Sequence, residues 1–429
     1  MTKTINLLLF ILVLCHSLNA QKSTSLSLDQ AIELGVSNSK VLKIDDSKIM
    51  QAEAQLVEAK NYKLPNLGFS GTALGLTTPI IKMEGNNQND LAINSLFFGN
   101  LSASYPIYTG GKIKYGIQSA EYLLKANKIM KDGSEKEIAM NVAESYNNLL
   151  KARQAIEVIE KHLEAAQKRD SIFMDLENNG ILSRNDRLKA NLQTTGLNLQ
   201  LLEAKNNYNL ANLNMAIMLG LDENTEIKLD DGYLSNEKED LDIQEIRNEA
   251  ARNRSELKVL EAQRNSIEIH KKVANAENYP TVALTAGYVA ANIPNFLTIT
   301  NAANIGINVN YNLDHYWKKN TALMKLEAQS LELESNDQLL RDKINLELSR
   351  DFNNYKLSKS KINLHEKALA QANENYNITL DKFNNGLETA ANLLEADAMK
   401  LNAEVSLYQS KADAALALIK LKYSMGILR

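Results

Sequence analysis

Two patterns of apolar and polar positions divide this chain. The first is a four-and-three spacing sustained over tens of residues. From Lys112 to Leu176 there is no proline, and only Gly116 and Gly133 interrupt the run. Val142, Leu149, Ile156 and Leu163 occupy one heptad position, and Ile138, Ser145, Ala152, Ile159 and Ala166 a second. That spacing predicts a single helix of about 65 residues, roughly 97 Å long at ~1.5 Å per residue. So long a helix has no globular core to lie on and must pack along other helices. The chain supplies them. Helices are expected at Leu28–Ile32, Ser39–Lys63 and Asn185–Leu219, then at Ser255–Asn278, Lys318–Lys382 and Thr389–Met425. In the last, Leu394, Ala398, Leu401, Val405, Tyr408, Ala412, Ala415 and Ile419 keep a strict alternation of fours and threes, a coiled-coil seam. Each shorter pair sums to nearly the long helix, as if two short helices stacked end to end beside it.

The second pattern has period two, in four segments near 66–76, 97–108, 280–290 and 303–312. Leu67, Phe69 and Ala73 alternate with Gly68, Ser70 and Thr72; Leu101, Ala103, Tyr105 and Ile107 with Asn100, Ser102 and Ser104. Val282, Leu284, Ala286 and Tyr288 oppose Thr281, Ala283, Thr285 and Gly287. Ile305, Ile307, Val309 and Tyr311 oppose Asn304, Gly306, Asn308 and Asn310. All five prolines (65, 79, 106, 280, 294) fall in or beside these segments. One apolar and one small or polar face over such a length is the form of a transmembrane barrel strand. Alternation alone favours a soluble sheet packed on helices, because the barrel signal is weak in any single strand. Three features decide for lipid. The chain begins with an export segment, and its helices are too long to cover so small a sheet. Aromatics also gather where strands meet helices, at Tyr105, Tyr108, Tyr279, Tyr311, Tyr316 and Trp317, and such rings settle at the membrane–water boundary.

Four strands cannot close a barrel, and open edges are not tolerated in lipid. Two chains would pool eight strands and three would pool twelve. An eight-stranded barrel is filled by its own side chains. The small, polar inner face predicts an open lumen, hence three chains.

The chain also repeats itself. Tyr105 and Tyr311, Gly180 and Gly386, and Gly220 and Gly426 are each 206 positions apart (311 − 105, 386 − 180, 426 − 220). Asn178-Asn179-Gly180 recurs as Asn384-Asn385-Gly386. Pro65 and Pro280 differ by 215 (280 − 65), which places about nine extra residues in the first half near Gly85–Asp90. The halves are taken as 21–221 and 241–429, joined at 222–240 by an acidic, polar stretch that reads as a linker or an exposed, equatorial subdomain.

Composition and charge add exclusions. Aromatic residues are 6% of the chain and the formal net charge is −4, so no basic surface recommends a nucleic-acid partner. Lys3, the apolar run Ile5–Leu14 and Leu18-Asn19-Ala20 read as a signal peptide over 1–20. The only cysteine, Cys15, lies inside it, and Leu14 stands where lipid attachment wants a small residue. No later stretch approaches ~18 consecutive apolar residues.

These landmarks resemble the TolC-type outer membrane efflux protein family over nearly the whole mature chain. They are the duplicated half, Pro65 and Pro280 before strands, the Tyr105-Pro106-Ile107-Tyr108-Thr109-Gly110-Gly111-Lys112 junction, the Asn-Asn-Gly tips, and Leu219-Gly220-Leu221. The resemblance implies a mainly α, α+β protein with a long coiled-coil α-barrel and four transmembrane strands per chain, twelve in a homotrimer. It implies an efflux channel in the outer membrane, reaching into the periplasm. Its partners would be outer-membrane lipid, a periplasmic adaptor (membrane fusion) protein and an inner-membrane transporter, of the resistance-nodulation-division type.

By the same resemblance, the hairpin tips contact the adaptor and form the closed entrance. The matching residues are Gly180, Ile181, Ser183, Gly386, Leu387 and Thr389; plain helix caps are the other reading. Well-known members carry an acidic residue six positions after each tip glycine and another nine after the second. Those positions here are Asp186, Asn392 and Glu395. The family's aromatic hydroxyl and arginine correspond to Phe383 and Glu388, so its usual locks are absent. Glu388 near Asp186 is expected to repel unless Arg184 or Arg187 intervenes. Glu395 is expected to form the acidic ring, where three converging copies would attract cations and raise one another's pKa; a solvated helix face is the other reading.

His162, His270, His315 and His365 are scattered, without metal-ligand spacing, and no nucleophile elbow or paired catalytic group appears. Gly110-Gly111 reads as a tight turn rather than a phosphate loop. No enzyme activity, cofactor or metal is expected. Two further readings stay open: the exit duct of a type I protein secretion system, and a periplasmic coiled-coil scaffold without a pore.

Overall fold

A computed structural model describes residues 23–77, 93–234, 241–294 and 296–428. The export segment at 1–20, Pro79, the insertion at Gly85–Asp90 and the end of the expected linker lie outside them.

The elements follow in order: β1 Ser23–Leu26, α1 Leu28–Asn38, α2 Lys40–Asn61, β2 Asn66–Gly75, β3 Ser95–Tyr108, α3 Lys112–Asn178 and α4 Arg184–Leu219. Then come β4 Glu226–Leu229, α5 Ile243–Asn253, α6 Ser255–Ala276, β5 Thr281–Ile293, β6 Leu297–Asn310, α7 Thr321–Asn384 and α8 Ala390–Ser424. The halves repeat element by element. α1 and α5 have 11 residues each and α2 and α6 have 22. α3 has 67 against 64 in α7, and α4 has 36 against 35 in α8. The early elements keep one offset (243 − 28 = 215; 255 − 40 = 215) and the late ones the other (390 − 184 = 206). No helix among the described residues is long and apolar enough to cross a membrane.

The chain forms two compact units. The one holding 45–130 and 256–339 contains a four-stranded antiparallel sheet in the order β2-β3-β5-β6. Its register gathers the alternating positions into rows. Phe69, Leu101, Tyr288 and Ala303 form one, and Leu67, Ala103, Ala286 and Ile305 the next. The intervening row is Gly68, Ser102, Gly287 and Asn304. Opposed residues on antiparallel strands point to the same side, so one face is apolar and the other small or polar. The apolar face is bare: Phe69 is 80% exposed and Ile305 77%. Every residue of β2 is exposed, which a soluble sheet packed on helices would not allow. β2 and β6 are its outer strands, each paired on one side only.

β5 and β6 reach further than the alternation suggested. The reason is a register shift between Val289 and Ala291, opposite Asn301, whose φ is +60°. The Tyr288 hydroxyl accepts the Asn301 N–H at 3.1 Å. Beyond this point pairing continues while the side-chain alternation changes phase.

The unit holding 23–44, 131–255 and 340–428 contains the main apolar core. Val142, Tyr146, Leu149 and Leu150 of α3 meet Ala31 and Ile32 of α1 and Met215, Ala216 and Leu219 of α4. The acidic stretch read as a linker or exposed subdomain contributes β4, which pairs in parallel with β1 and buries Ile227 and Leu229. Four residues inside a charged stretch give no readable period, and their partner strand is some 200 positions away. Tyr146 fastens this layer. Its hydroxyl lies 3.1 Å from both Leu26 O and Asp230 O, to one of which it donates, and accepts the Asp230 N–H at 3.0 Å. Tyr146→Phe is expected to cost ~1–3 kcal/mol by leaving buried backbone groups unpaired. Thermal unfolding should show the loss, with hydrogen exchange rising first in β1 and β4.

Candidate functional site: hairpin tips and sheet rim

Both tips use one backbone solution. At the end of α3 the Gly180 N–H donates to Glu177 O at 2.9 Å and the Ile181 N–H to Leu176 O at 2.9 Å. At the end of α7 the Gly386 N–H donates to Phe383 O at 3.0 Å and the Leu387 N–H to Lys382 O at 2.8 Å. This Schellman pair satisfies the last carbonyls of each helix. It needs a left-handed residue, and Gly180 and Gly386 have φ of +72° and +74°. The return helices are capped alike: Ser183 Oγ accepts the Asp186 N–H at 3.1 Å and Thr389 Oγ1 the Asn392 N–H at 3.2 Å. The residue after each glycine, Ile181 or Leu387, projects into solvent.

The charges at the tips are settled locally. Asp186 is held below the usual carboxylate range, first by the Ser183 hydroxyl at 2.7 Å and then by Lys189. Glu388 is held low by the Thr389 N–H at 3.0 Å and by the Asn392 amide at 2.6 Å. Each carboxylate is satisfied within its own cap, and Arg187 pairs with Glu177 on α3. Glu395 is exposed and, among the described residues, has no hydrogen-bond or ion-pair partner.

Phe383 turns inward. Its ring centroid lies 5.3 Å from that of Phe173, which is 1% exposed. Together they join Ala190, Ala390, Leu393 and Leu394 in an apolar layer just behind the tips. An aromatic ring without a hydroxyl closes this layer without a buried polar group.

Behind that layer lies a polar cluster that sequence reasoning missed. Arg169 Nη2 on α3 donates to Asp397 Oδ2 on α8 at 2.6 Å, both residues buried. His162 Nε2 lies 3.1 Å from Glu404 Oε2, and its Nδ1 lies 3.7 Å from Asp397 Oδ1. Gln193 Nε2 on α4 reaches Asp397 Oδ2 at 3.3 Å. The available signal was spacing: 162 and 169, like 397 and 404, are seven apart and share a helix face.

In the other unit, Tyr105, Tyr108, Tyr279, Tyr311, Tyr316 and Trp317 are all exposed around the strand ends. The Tyr311 and Tyr316 hydroxyls lie 3.1 Å apart, and the His315 ring stacks 4.1 Å from that of Tyr316. Gly110 packs tightly, with a Cβ there falling 2.8 Å from Ala276 O.

Two helix faces remain uncovered. On α4, Leu188, Leu192, Leu199, Leu202, Leu210 and Ile217 are all exposed and fall within a sector of about 80° at helical periodicity. On α7, Leu346, Leu357, Leu364 and Ile378 are exposed within about 60°.

The family model described as outer membrane efflux protein matches residues 36–221 and 246–427. No curated protein matches the chain significantly by sequence. Among solved structures, the outer membrane protein VceC of Vibrio cholerae matches at 18% identity and a TM-score of 0.78. That match covers 93% of this chain and 96% of that one. The Campylobacter jejuni CmeC outer membrane channel matches at 18% identity and 0.80, over 93% and 85%. The open state of the Neisseria gonorrhoeae MtrE outer membrane channel matches at 14% identity and 0.73, over 94% and 90%. At these identities the likeness establishes a shared fold.

Phe173→Ala is expected to open a cavity behind the tips and cost ~3–5 kcal/mol. Limited proteolysis should then cut near 176–190 and 380–394, with the β1/β4 layer protected as before.

Proposed function

Because this chain belongs to the outer membrane efflux protein family, and is therefore an outer-membrane channel working with other efflux-pump components, we propose how its surfaces divide that work. Three copies pool their sheets into a twelve-stranded barrel. The observation that carries this is the bare apolar sheet face bounded by two one-sided strands. In lipid such a face is satisfied, and such edges are not. The small, polar face then lines the lumen, and three sheets leave it open where two would fill it. The leucine stripes on α4 and α7 are the surfaces along which copies meet, since isolated exposed stripes of this length would otherwise face water.

The tips at Gly180, Ile181, Ser183, Gly386, Leu387 and Thr389 dock a periplasmic adaptor, with Ile181 and Leu387 as its apolar anchors. The adaptor joins the channel to an inner-membrane transporter of the resistance-nodulation-division type. Cargo passes passively through the lumen. The exposed rings from Tyr105 to Trp317 set the sheet's depth in lipid.

At the entrance, Asp186 and Glu388 are engaged within their caps, which leaves the unpaired Glu395 as the acidic group free to face a shared axis. Three such carboxylates draw cations. Glu395→Gln should therefore weaken cation selectivity or cation block in planar-bilayer recordings, and unchanged conductance would discard this role. Particle images of the detergent-purified protein should show a hollow three-fold tube; a two-fold or solid particle would overturn the assembly.

A further inference from the structure

The cluster behind the tips is built around the His162 imidazole. Its charged members come from both hairpins: His162, Arg169 and the exposed Lys161 from α3, and Asp397 and Glu404 from α8. Gln193 faces it from α4, and Tyr376, with the Lys400 ammonium 4.6 Å over its ring, faces it from α7 and α8. His162, Arg169 and Asp397 are each at most 8% exposed, and the Glu404 side chain is 13% exposed. With a neutral imidazole, one buried cation faces two carboxylates. With an imidazolium, each carboxylate has a buried cationic partner, while the exposed Lys161 reaches Glu404 from the solvent side at 3.1 Å.

Hydrogen-bond chemistry gives the same answer. Ionised carboxylates only accept, and a neutral imidazole has one donor nitrogen. His162 presents Nε2 to Glu404 and Nδ1 toward Asp397, so the neutral ring must set a lone pair against one of two anions. The charged ring hydrogen-bonds Glu404 at 3.1 Å and turns its second N–H toward Asp397, an ion-pair contact at 3.7 Å.

We propose that His162 is a proton-operated lock that fastens the α7/α8 hairpin to the α3/α4 hairpin just behind the tips, and that the fastening loosens when the imidazolium loses its proton. Burial opposes the charge on His162, and the hydrogen bonds and charges of Asp397 and Glu404 outweigh it, so the pKa is raised. Burial likewise opposes the charge on Asp397 and Glu404, yet contact with His162 and with Arg169 or Lys161 holds both low. They stay ionised wherever His162 titrates. A raised imidazole pKa gives stabilisation that is complete below ~6.5 and lost as the pH rises through the folded-state value. The lock is therefore firm in mild acid and slack in alkali. Removing one partner from a buried charge set is costly, which makes the loss local and large.

The test is hydrogen exchange of the full-length protein in detergent between pH 6 and pH 9. Peptides from 390–404 are normalised to those of the β1/β4 layer in the same samples. Wild-type protection should fall about tenfold with rising pH, and His162→Gln should be flat across the range. Glu404→Gln, which keeps the packing, should move the midpoint down by about one pH unit; a purely structural contact would not move it. Flat wild-type protection, or an unchanged pH response in His162→Gln, overturns the lock. The lock's bearing on transport rests on the channel reading above, and conductance separates the two. Opening that rises with pH in the wild type and not in His162→Gln supports both. A pH-sensitive tip with pH-blind conductance supports the lock and overturns the tips as the gate.

Discussion

The backbone of the outermost strands sets the terms for the rest of the molecule. β2 and β6 each carry a row of peptide groups that no strand among the described residues pairs. In water that row is a liability, and in hydrocarbon it is untenable, since each unpaired group costs several kcal/mol. Among the described residues nothing supplies a fifth strand to the sheet. The exposed apolar face sends the sheet into lipid, and the two edges then demand copies of the same chain. Outside the sheet, α4 and α7 likewise expose apolar stripes. They are long, apolar and unpartnered in a single copy.

Much of this was legible in the sequence, because both governing patterns are periodic and long. The heptads of α3 and the seam of α8 run for many turns, so local exceptions did not obscure them. The duplication showed through landmarks at one offset, and the change of offset from 215 to 206 located the insertion between the first two strands. What stayed hidden was short or out of phase. β1 and β4 have four residues each and pair across nearly the whole first half. The outer ends of β5 and β6 lie past the irregularity at Asn301, where counting by twos fails.

The buried cluster was hidden for a different reason. His162, Arg169, Asp397 and Glu404 occupy helical positions where charged residues ordinarily mean solvent, and their helices are polar on most faces. Only the meeting of α3 with α8 turns two seven-residue spacings into one network. The tips illustrate the converse. Their backbone turns were readable from Asn-Asn-Gly, but the assignment of partners was not. The caps engage Asp186 and Glu388 each within its own turn, through hydrogen bonds that no spacing in the sequence announces.

Those turns carry a consequence of their own. Each is closed by main-chain hydrogen bonds, one glycine and one hydroxyl, and asks nothing of the side chain that follows the glycine. Ile181 and Leu387 can therefore be recoded without disturbing the scaffold. The molecule thus separates turns fixed by main-chain geometry from two exposed side chains that those turns leave unconstrained.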